Sequence, residues 1–264
     1  MYYYTFYIIT PSYQRPDCLQ KCVNSVLEQP YQNWIQIIVN DSPDFDYTGF
    51  EMTEKYNDRR IIYLKNTENR GVNFSRNKIL DYISQQQLSD NDFVILLDDD
   101  DWLADNALQI IAAKIAELKK ENLPTDWLLA TAWNEATNKD AARRKAADKT
   151  IIRPFIDNVF FRKLAGDAAQ IIKAKLAVTA RFCRTIKQSE ELFYFAQLKQ
   201  CAVVVVVVVK KVGYLAGGLT EQGKLTYRKN TWALWREFFS LSRKTYSFFL
   251  YLILRSIRIS CLNY

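Results

Sequence analysis

A buried strand that runs directly into four consecutive carboxylates constrains this chain most. Residues Phe93–Leu97 are five apolar residues with no polar alternation, a pattern typical of a strand buried on both faces of a parallel sheet. The acidic run Asp98–Asp101 follows where that strand must end. In open α/β sheets, ligands bind at the carboxyl ends of the strands. The sequence therefore predicts a binding site at this position.

The same acidic run indicates the kind of ligand. Four adjacent carboxylates repel one another, and a bound cation or ligand would offset that cost. Carboxylate oxygens suit Mn²⁺ or Mg²⁺, especially where a substrate diphosphate completes the coordination shell. The alternative is a solvated acidic turn that caps a helix beginning near Leu103. Because four acids follow a buried strand, the sequence favours the metal interpretation.

Strand and helix patterns alternate over about the first 120 residues. The pattern predicts strands at Phe6–Thr10, Ile35–Val39, Ile61–Leu64 and Phe93–Leu97, and helices that begin near Pro16, Glu51, Val72 and Asp105. Such alternation predicts βαβ units and a right-handed, mainly parallel sheet. The expected fold class is therefore α/β, with a doubly wound, Rossmann-like nucleotide-binding half. Farther along, seven consecutive valines, Val203–Val209, predict one more buried strand.

Composition limits the chemistry. The chain of 264 residues contains no histidine, which excludes Ser-His and Cys-His nucleophilic sites and zinc sites that use histidine. A general base must then be a carboxylate, Lys, Tyr or Cys. The five cysteines include no C-x-x-C pair and favour reduced thiols in a cytoplasmic protein. The amino-terminal residues lack the charged region of a signal peptide and predict a first strand.

The basic charge is concentrated at the carboxyl-terminal end. From Lys224 onward there are eight Lys or Arg and one acidic residue, so the whole formal net charge of +7 lies there. Trp232, Trp235 and Phe239 fall on one helical face, and the apolar run 246–254 is shorter than the roughly 20 residues that span a bilayer. An amphipathic tail on an anionic membrane surface is one interpretation. A helix packed on the domain or on another subunit is the other.

Several motifs, in order, resemble those of the family 2 glycosyltransferases with the GT-A fold. The residues that carry the resemblance are Ile8-Ile9-Thr10-Pro11-Ser12-Tyr13 with Arg15-Pro16; Cys22-Val23-Asn24-Ser25-Val26-Leu27-Glu28-Gln29-Pro30-Tyr31; Ile37-Ile38-Val39-Asn40-Asp41; Asn69-Arg70-Gly71 with Ser75-Arg76-Asn77; and Leu97-Asp98-Asp99-Asp100-Asp101-Trp102-Leu103. The match covers the first 103 residues. It implies a glycosyltransferase of the hexosyltransferase type.

The resemblance also implies roles for individual residues. The nucleotide-binding residues would be Thr10, Ser12, Asp41, Arg76, Asp98 and Asp99. Asn40 replaces the first of two acids that the family usually carries before this point, and an Asx turn is the alternative role for Asp41. The acidic run matches the D-x-D motif, in which Asp98 would contact the ribose. Asp100, together with Asp98, would hold the Mn²⁺ or Mg²⁺ that stabilises the leaving diphosphate.

The family's catalytic base is usually an acid that begins a helix well beyond the metal motif. The matching pair here is Glu190-Glu191, with Glu191 as the first choice and Glu190 as the reserve. Both acids could instead mark a helix N-terminus after Ser189. The predicted domains are a GT-A catalytic domain over residues 1–228, with a nucleotide-binding half at 1–103 and an acceptor half at 104–228, and a helical tail over 229–264.

Together these features predict an inverting, metal-dependent glycosyltransferase. It would move a sugar from a nucleotide-diphosphate donor, with a UDP-sugar as the first choice, to a hydroxyl of a glycan or glycolipid acceptor in bacterial surface polysaccharide or lipooligosaccharide synthesis. The tail would hold it peripherally at the cytoplasmic face of the inner membrane. One alternative is a nucleotidyltransferase, although the loop Thr10–Arg15 lacks the glycines of a phosphate loop. Others are an inactive GT-A-like binding protein and a nucleic-acid-binding protein. Residues 1–223 carry no net charge, so no nucleic-acid partner is expected.

Overall fold

The computed structural model describes residues 3–51, 54–134, 139–140, 148–153, 168–184, 190–198 and 200–213, with six later positions, 235, 236, 239, 252, 253 and 256. The predicted tail at 229–264 therefore falls almost entirely outside the described residues. Within the described ranges, none of the helices combines the length and the apolar character needed to span a bilayer.

Strands and helices alternate through the described chain, as the sequence predicts. The strands are β1 (Thr5–Ser12), β2 (Trp34–Asn40), β3 (Ile61–Lys65), β4 (Asp92–Leu96), β5 (Asp101–Leu103), β6 (Trp127–Asn134), β7 (Lys139–Asp140), β8 (Ile151–Ile152), β9 (Ala169–Lys173) and β10 (Ala202–Val212). The helices are α1 (Pro16–Leu27), α2 (Thr48–Glu51), α3 (Val72–Ser84), α4 (Ala107–Lys120), α5 (Ala174–Ala177) and α6 (Glu190–Leu198), with a 3₁₀ turn at Glu54–Tyr56.

One mixed sheet joins these strands in the order β3-β2-β1-β4-β9-β6-β10-β5, with β7 beside β6 and β8 beside β10. The first four strands in this order pair in parallel. Strand β9 is antiparallel to both β4 and β6, and β10 is parallel to β6 but antiparallel to β5. The predicted α/β fold with a parallel first half is confirmed, and the second half of the sheet is mixed.

Helices cover both faces of this sheet. Ile8 faces one layer, where it shares a buried cluster with α4 residues such as Ile111. The next residue, Ile9, faces the opposite layer and shares a cluster with Ile79 of α3 and Tyr194 of α6. Both faces of the central strands are therefore buried from solvent. This two-sided burial explains why the strands appear in the sequence as continuous apolar runs rather than as alternating ones.

Two local predictions differ from the structure. The helix start near Leu103, part of the alternative interpretation of the acidic run, is wrong, because Asp101–Leu103 forms strand β5 against β10. The helix predicted to begin near Asp105 is α4, which begins at Ala107. The single helix predicted near Glu51 is instead the short α2 and the separate 3₁₀ turn. The partner of β5 lies more than 100 residues away in the chain, so no local pattern could indicate that pairing.

The valine run forms a strand, as predicted, but only part of it is buried. Val203–Val205 and Val209 are buried, whereas Val206 and Val208 are exposed. The register of β10 against β6 shifts twice, between Val205 and Val208 and again before Lys210. This irregularity turns the middle of the run outward. Beyond it, β10 resumes pairing and reaches the acidic run.

Candidate active site

The acidic run lies at the point where the sheet changes its direction of winding. The chain passes from β1 outward to β2 and β3, and then returns to place β4 on the other side of β1. The carboxyl ends of β1 and β4 consequently diverge toward opposite neighbours, which is where open α/β sheets form their ligand crevices. Ser12 ends β1, and Asp98–Asp101 follow β4 at this same edge.

Asp98 is held by Arg76 of helix α3. Nη2 of Arg76 donates to Oδ1 and Oδ2 of Asp98, at 2.8 and 3.0 Å. Burial alone would raise the pKa of Asp98, but the charge and hydrogen bonds of Arg76 overcome it, and the pKa is lowered. The same Nη2 lies 3.6 Å from Oε1 of the half-exposed Glu191. Arg76 thus contacts both the predicted metal-binding turn, which follows β4, and the predicted base, which lies in α6.

Asp99 points in another direction, into a buried network with the end of β1. Ser12 Oγ donates to Asp99 Oδ2 at 2.8 Å, and the backbone N–H of Tyr13 donates to the same oxygen at 3.3 Å. Because the one hydroxyl hydrogen of Ser12 is used in this way, the hydroxyl of Tyr47, 2.8 Å away, must donate to Ser12. Burial raises the pKa of Asp99 to about 7 against the lowering effect of Ser12.

Asp100 is paired with Arg15, which immediately precedes helix α1. Nη1 of Arg15 donates to Asp100 Oδ2 at 2.7 Å and lies 3.5 Å from Asp99 Oδ1. Burial raises the pKa of Asp100, the nearby charge of Asp98 raises it further, and the Arg15 guanidinium acts in the opposite direction. Arg15 therefore carries part of the charge balance at this turn.

Asp101 and the backbone of Asp100 are fixed by the end of β10. Lys210 Nζ donates to Asp101 Oδ2 at 2.7 Å in a buried ion pair, and burial nevertheless raises the pKa of Asp101 to about 6. Directly after β10, the N–H of Gly213 donates to the Asp100 carbonyl oxygen at 3.1 Å. A Cβ atom on Gly213 would lie 2.5 Å from that oxygen and 2.7 Å from Cζ3 of Trp102. Only glycine fits there without displacing the turn.

The four acids alternate in their accessibility, and this alternation bears on metal binding. The side chains of Asp98 and Asp100 are 38% and 27% exposed, whereas those of Asp99 and Asp101 are 7% and 8% exposed. The more accessible side chains therefore belong to the first and third acids, which are the positions that a D-x-D metal motif uses. Among the described residues, no group of three or more acids or cysteines is arranged to enclose an ion. The two accessible carboxylates fit a Mn²⁺ or Mg²⁺ whose other ligands come from a substrate and water.

Asp41 ends up close to its predicted place, at the end of β2, but with a full set of protein partners. Asn66 Nδ2 and the N–H of Arg70 donate to its Oδ1 at 2.7 and 2.9 Å, and the N–H of Gly71 donates to Oδ2 at 2.7 Å. These bonds fix the loop before α3, where Gly71 has a φ of 85°. Asp41 thereby positions the helix that carries Arg76.

The remaining predicted residues are more dispersed. Thr10 is fully buried within β1, where its Oγ1 accepts a hydrogen bond of 3.1 Å from Gln36. The preceding Asn40 bonds to Tyr63 and to the N–H of Ser42. Glu190 begins helix α6, and its side chain lies outside the described residues. The structure therefore brings Ser12, Arg76, Glu191 and the acidic run together, and it places the Thr10 hydroxyl against Gln36.

Three residues of the site were given no role by the sequence: Arg15, Tyr47 and Lys210. Arg15 belongs to the motif after β1, so a cation near the acidic run could have been expected there. Lys210 ends a valine-rich strand, and a lysine in such a strand requires an acidic partner when it is buried. Tyr47 lies in a loop, and no sequence motif indicated that it would reach the site.

Comparison with known proteins places these features in context. Residues 7–123 match the family described as Glycosyl transferase family 2. Escherichia coli UDP-Glc:alpha-D-GlcNAc-diphosphoundecaprenol beta-1,3-glucosyltransferase WfgD is 35% identical over 121 residues, which are 46% of this chain and 43% of that protein. The Bacillus subtilis putative teichuronic acid biosynthesis glycosyltransferase TuaG is 37% identical over 101 residues, or 37% of each chain. This chain thus spans less than half the length of these relatives.

Solved structures share the fold over nearly the whole chain. S. aureus TarS 1-349 in complex with UDP-GlcNAc has a TM-score of 0.65 and 14% identity, and the match covers 91% of this chain and 68% of that one. The mannosyltransferase PcManGT from Pyrobaculum calidifontis, in complex with GDP-Man and Mn²⁺, has a TM-score of 0.55 and 14% identity, with 96% and 69% covered. These comparisons agree with the resemblance that the motifs indicate: residues 7–123 match the model of glycosyl transferase family 2, and the chain shares its fold with these solved structures.

Proposed function

We propose that this protein is an inverting, metal-dependent glycosyltransferase that uses a nucleotide-diphosphate sugar. The observation that carries the proposal is the convergence of Asp98 and Glu191 on Arg76 at the switch point of the sheet, with Asp100 two residues beyond Asp98 in the same acidic turn. Two accessible carboxylates there can hold a divalent ion, and a third carboxylate from a different element can accept a proton. The catalytic part would be residues 1–228.

Asp98 and Asp100 would hold Mn²⁺ or Mg²⁺, which supplies Lewis-acid stabilisation of the negative charge on the leaving diphosphate. Ser12 and Asp99 line the adjacent end of β1, where the nucleoside would lie. A UDP-sugar is the favoured donor because WfgD is named for UDP-Glc and the TarS structure contains UDP-GlcNAc. PcManGT was solved with GDP-Man, so GDP-sugars belong in the test as well.

Glu191 would act as the general base toward the acceptor hydroxyl. Its carboxylate is half-exposed, so an acceptor can approach it, and Arg76 holds it near the metal-binding acids. Direct displacement at the anomeric carbon needs a proton acceptor on the face opposite the leaving group, and a carboxylate can serve. Glu190, one residue earlier in α6, remains the reserve candidate.

A glycan or glycolipid of a bacterial surface polysaccharide is the proposed acceptor, in keeping with the names of WfgD and TuaG. The basic, aromatic tail at 229–264 would dock on the cytoplasmic face of the inner membrane. Sedimentation with vesicles of anionic or of neutral lipid tests this. We expect the full chain to bind anionic vesicles but not neutral ones. A chain truncated after residue 228 should lose this binding. Equal binding by the truncated chain would contradict a docking role for the tail.

Release of nucleoside diphosphate from a panel of UDP- and GDP-sugars, with and without Mn²⁺, tests the reaction. We expect metal-dependent turnover of at least one donor and a loss of about 100-fold or more in Asp100→Asn and Glu191→Gln. Asp90→Asn is the matched control, because Asp90 lies before β4, at the other end of the strand, and pairs with the exposed Lys175 rather than with any residue of the site.

Comparison of Glu190→Gln with Glu191→Gln identifies the base. If the larger loss falls on Glu190→Gln, the base assignment changes while the reaction class stands. If the unaltered protein neither turns over nor binds any of the donors, with or without metal, it is instead a GT-A-like binding protein or acts on a different class of substrate.

A further inference from the structure

Two arginines contact the two accessible acids of the metal-binding turn, and their surroundings differ. Arg76 contacts Asp98, and Arg15 contacts Asp100. Any cation that binds between these acids must share their oxygens with both guanidinium groups. The number of contacts that hold each arginine therefore decides which arginine can move away from its carboxylate.

Arg76 is fixed in place. Its side chain is 3% exposed, its Nη2 atom bonds to both oxygens of Asp98, and its guanidinium lies 5.1 Å from the centre of the Phe182 ring. Glu191 approaches the same nitrogen at 3.6 Å. Moving Arg76 would leave the buried guanidinium without these partners, which is costly.

Arg15 is held on one side only. Its side chain is 32% exposed, and its guanidinium contacts the two acids Asp99 and Asp100. It lies in the short loop between β1 and α1, where Gln14 adopts a left-handed φ of 54°. The backbone N–H of Arg15 donates to Tyr47 at 3.1 Å, so the main chain is anchored while the side chain borders solvent. Rotation of its side chain requires no change in the buried core.

We propose that Arg15 is a binding residue for the donor diphosphate, and that it occupies Asp100 only while no donor is bound. The inference rests on the proposed function. Arg15 and a divalent cation are both positively charged and would both bind the Asp100 carboxylate, so Arg15 opposes metal binding in the empty site. A diphosphate offers Arg15 a replacement partner of matching geometry, because guanidinium groups bind phosphate oxygens in a bidentate manner.

The exchange makes metal and diphosphate binding interdependent. Without nucleotide, Mn²⁺ must bind Asp100 against the positive charge of Arg15, or displace Arg15 into solvent, and so binds weakly. With a diphosphate present, Arg15 leaves Asp100 for the phosphates, and the oxygen becomes available. Each ligand therefore strengthens the binding of the other, and the coupling must be equal in both directions. A nucleoside without phosphates should show no such coupling.

Isothermal titration calorimetry measures this directly, with Mn²⁺, UDP, GDP, uridine and guanosine as the probes. The proteins are the unaltered chain, Arg15→Ala, Arg15→Gln, Asp100→Asn and the matched control Arg59→Ala. Arg59 is exposed and precedes β3, at the opposite edge of the sheet from the acidic run. Thermal unfolding of each variant establishes that it is folded before titration.

We expect Arg15→Ala to bind Mn²⁺ alone about tenfold more tightly than the unaltered chain, because a charge-assisted hydrogen bond no longer competes. The same variant should bind the preferred diphosphate about tenfold more weakly in the presence of Mn²⁺, with its nucleoside affinity unchanged. Arg15→Gln should behave in the same way, and Arg59→Ala should match the unaltered chain.

Two results would overturn the inference. Weaker binding of Mn²⁺ alone in both Arg15 variants would show that Arg15 supports Asp100 rather than competing for it. Unchanged diphosphate affinity in both variants would remove its role in donor binding. Failure of the proposed function would look different. The unaltered chain itself would then bind neither UDP nor GDP in a manner that requires both Mn²⁺ and Asp100.

Discussion

Replacement of Asp99 by asparagine should stabilise the fold at neutral and alkaline pH. The carboxyl group is buried between Ser12, Tyr13 and Arg15, and its pKa of about 7 lies well above the ordinary 3.8. Ionisation is therefore unfavourable in the folded chain and easy in the unfolded one. An amide of nearly the same shape keeps an oxygen for Ser12 and Tyr13, and it carries no charge.

The sign and size follow from the two pKa values. Below about pH 4 the carboxyl group is protonated in both states and costs nothing. Between about pH 4 and 7 the unfolded chain ionises while the folded chain does not, so the folded state loses about 1.4 kcal/mol per pH unit. The accumulated penalty reaches roughly 4 kcal/mol near pH 7 and then stays constant. Asp99→Asn removes this contribution, less the cost of placing an amide near Arg15.

Urea unfolding followed by tryptophan fluorescence, from pH 4 to pH 8.5, measures the effect. The free energy of unfolding of Asp99→Asn, relative to the unaltered chain, should rise by about 2–4 kcal/mol between pH 4 and 7. Asp90→Asn is the control, because hydrogen bonding to Lys175 lowers rather than raises the pKa of Asp90. A difference between Asp99→Asn and the unaltered chain that stays flat, or falls, over this range would refute the reasoning. It would mean that Asp99 is ionised in the folded chain without penalty.

Two further predictions concern the end of β10. Gly213→Ala should lower the free energy of unfolding by about 1–3 kcal/mol and weaken Mn²⁺-dependent nucleotide binding, because its Cβ would press on the Asp100 carbonyl oxygen. Gly49→Ala is the matched control, since its nearest neighbour would be Gln20 at 3.8 Å; equal effects of the two changes would contradict this. Lys210→Met should cost about 3–5 kcal/mol by leaving Asp101 buried without its cation, and adding Asp101→Asn should recover most of that loss in urea unfolding. A double variant as unstable as Lys210→Met would assign the loss to packing instead.

Local patterns were sufficient for the strands that form the centre of the sheet. Each of β1, β2 and β4 is buried on both faces, so its apolar run is visible without knowledge of its neighbours. Strand β5 is different. Its three residues, Asp101–Leu103, are a strand only because β10 pairs with them. Even the uniform valines of β10 concealed their irregular register, since identical side chains cannot show where a strand turns outward.

The site divides in the same way. Position at the end of a buried strand was enough to predict where Asp98–Asp101 would lie. Their partners were not predictable, because Arg15 and Lys210 reach them from 85 and 109 residues away in sequence. The family motif indicated Arg76 and Glu191, but only the folded chain shows that Arg76 lies between Glu191 and Asp98. The candidate site residues could thus be found from the sequence. The ion pairs that shift the pKa values of the acids could not.

Four identical residues consequently acquire four different environments. Asp98 has a lowered pKa because Arg76 holds it, and the other three have raised values because burial outweighs their partners. Three cations, Arg15, Arg76 and Lys210, face the four carboxylates of the acidic run, so the run itself retains at most one uncompensated negative charge at neutral pH, and less when Asp99, whose pKa is about 7, is protonated. A divalent ion would overcompensate that charge unless another anion entered with it. A diphosphate provides such an anion, and for this reason the electrostatics of the turn favour metal and donor binding together over either one alone.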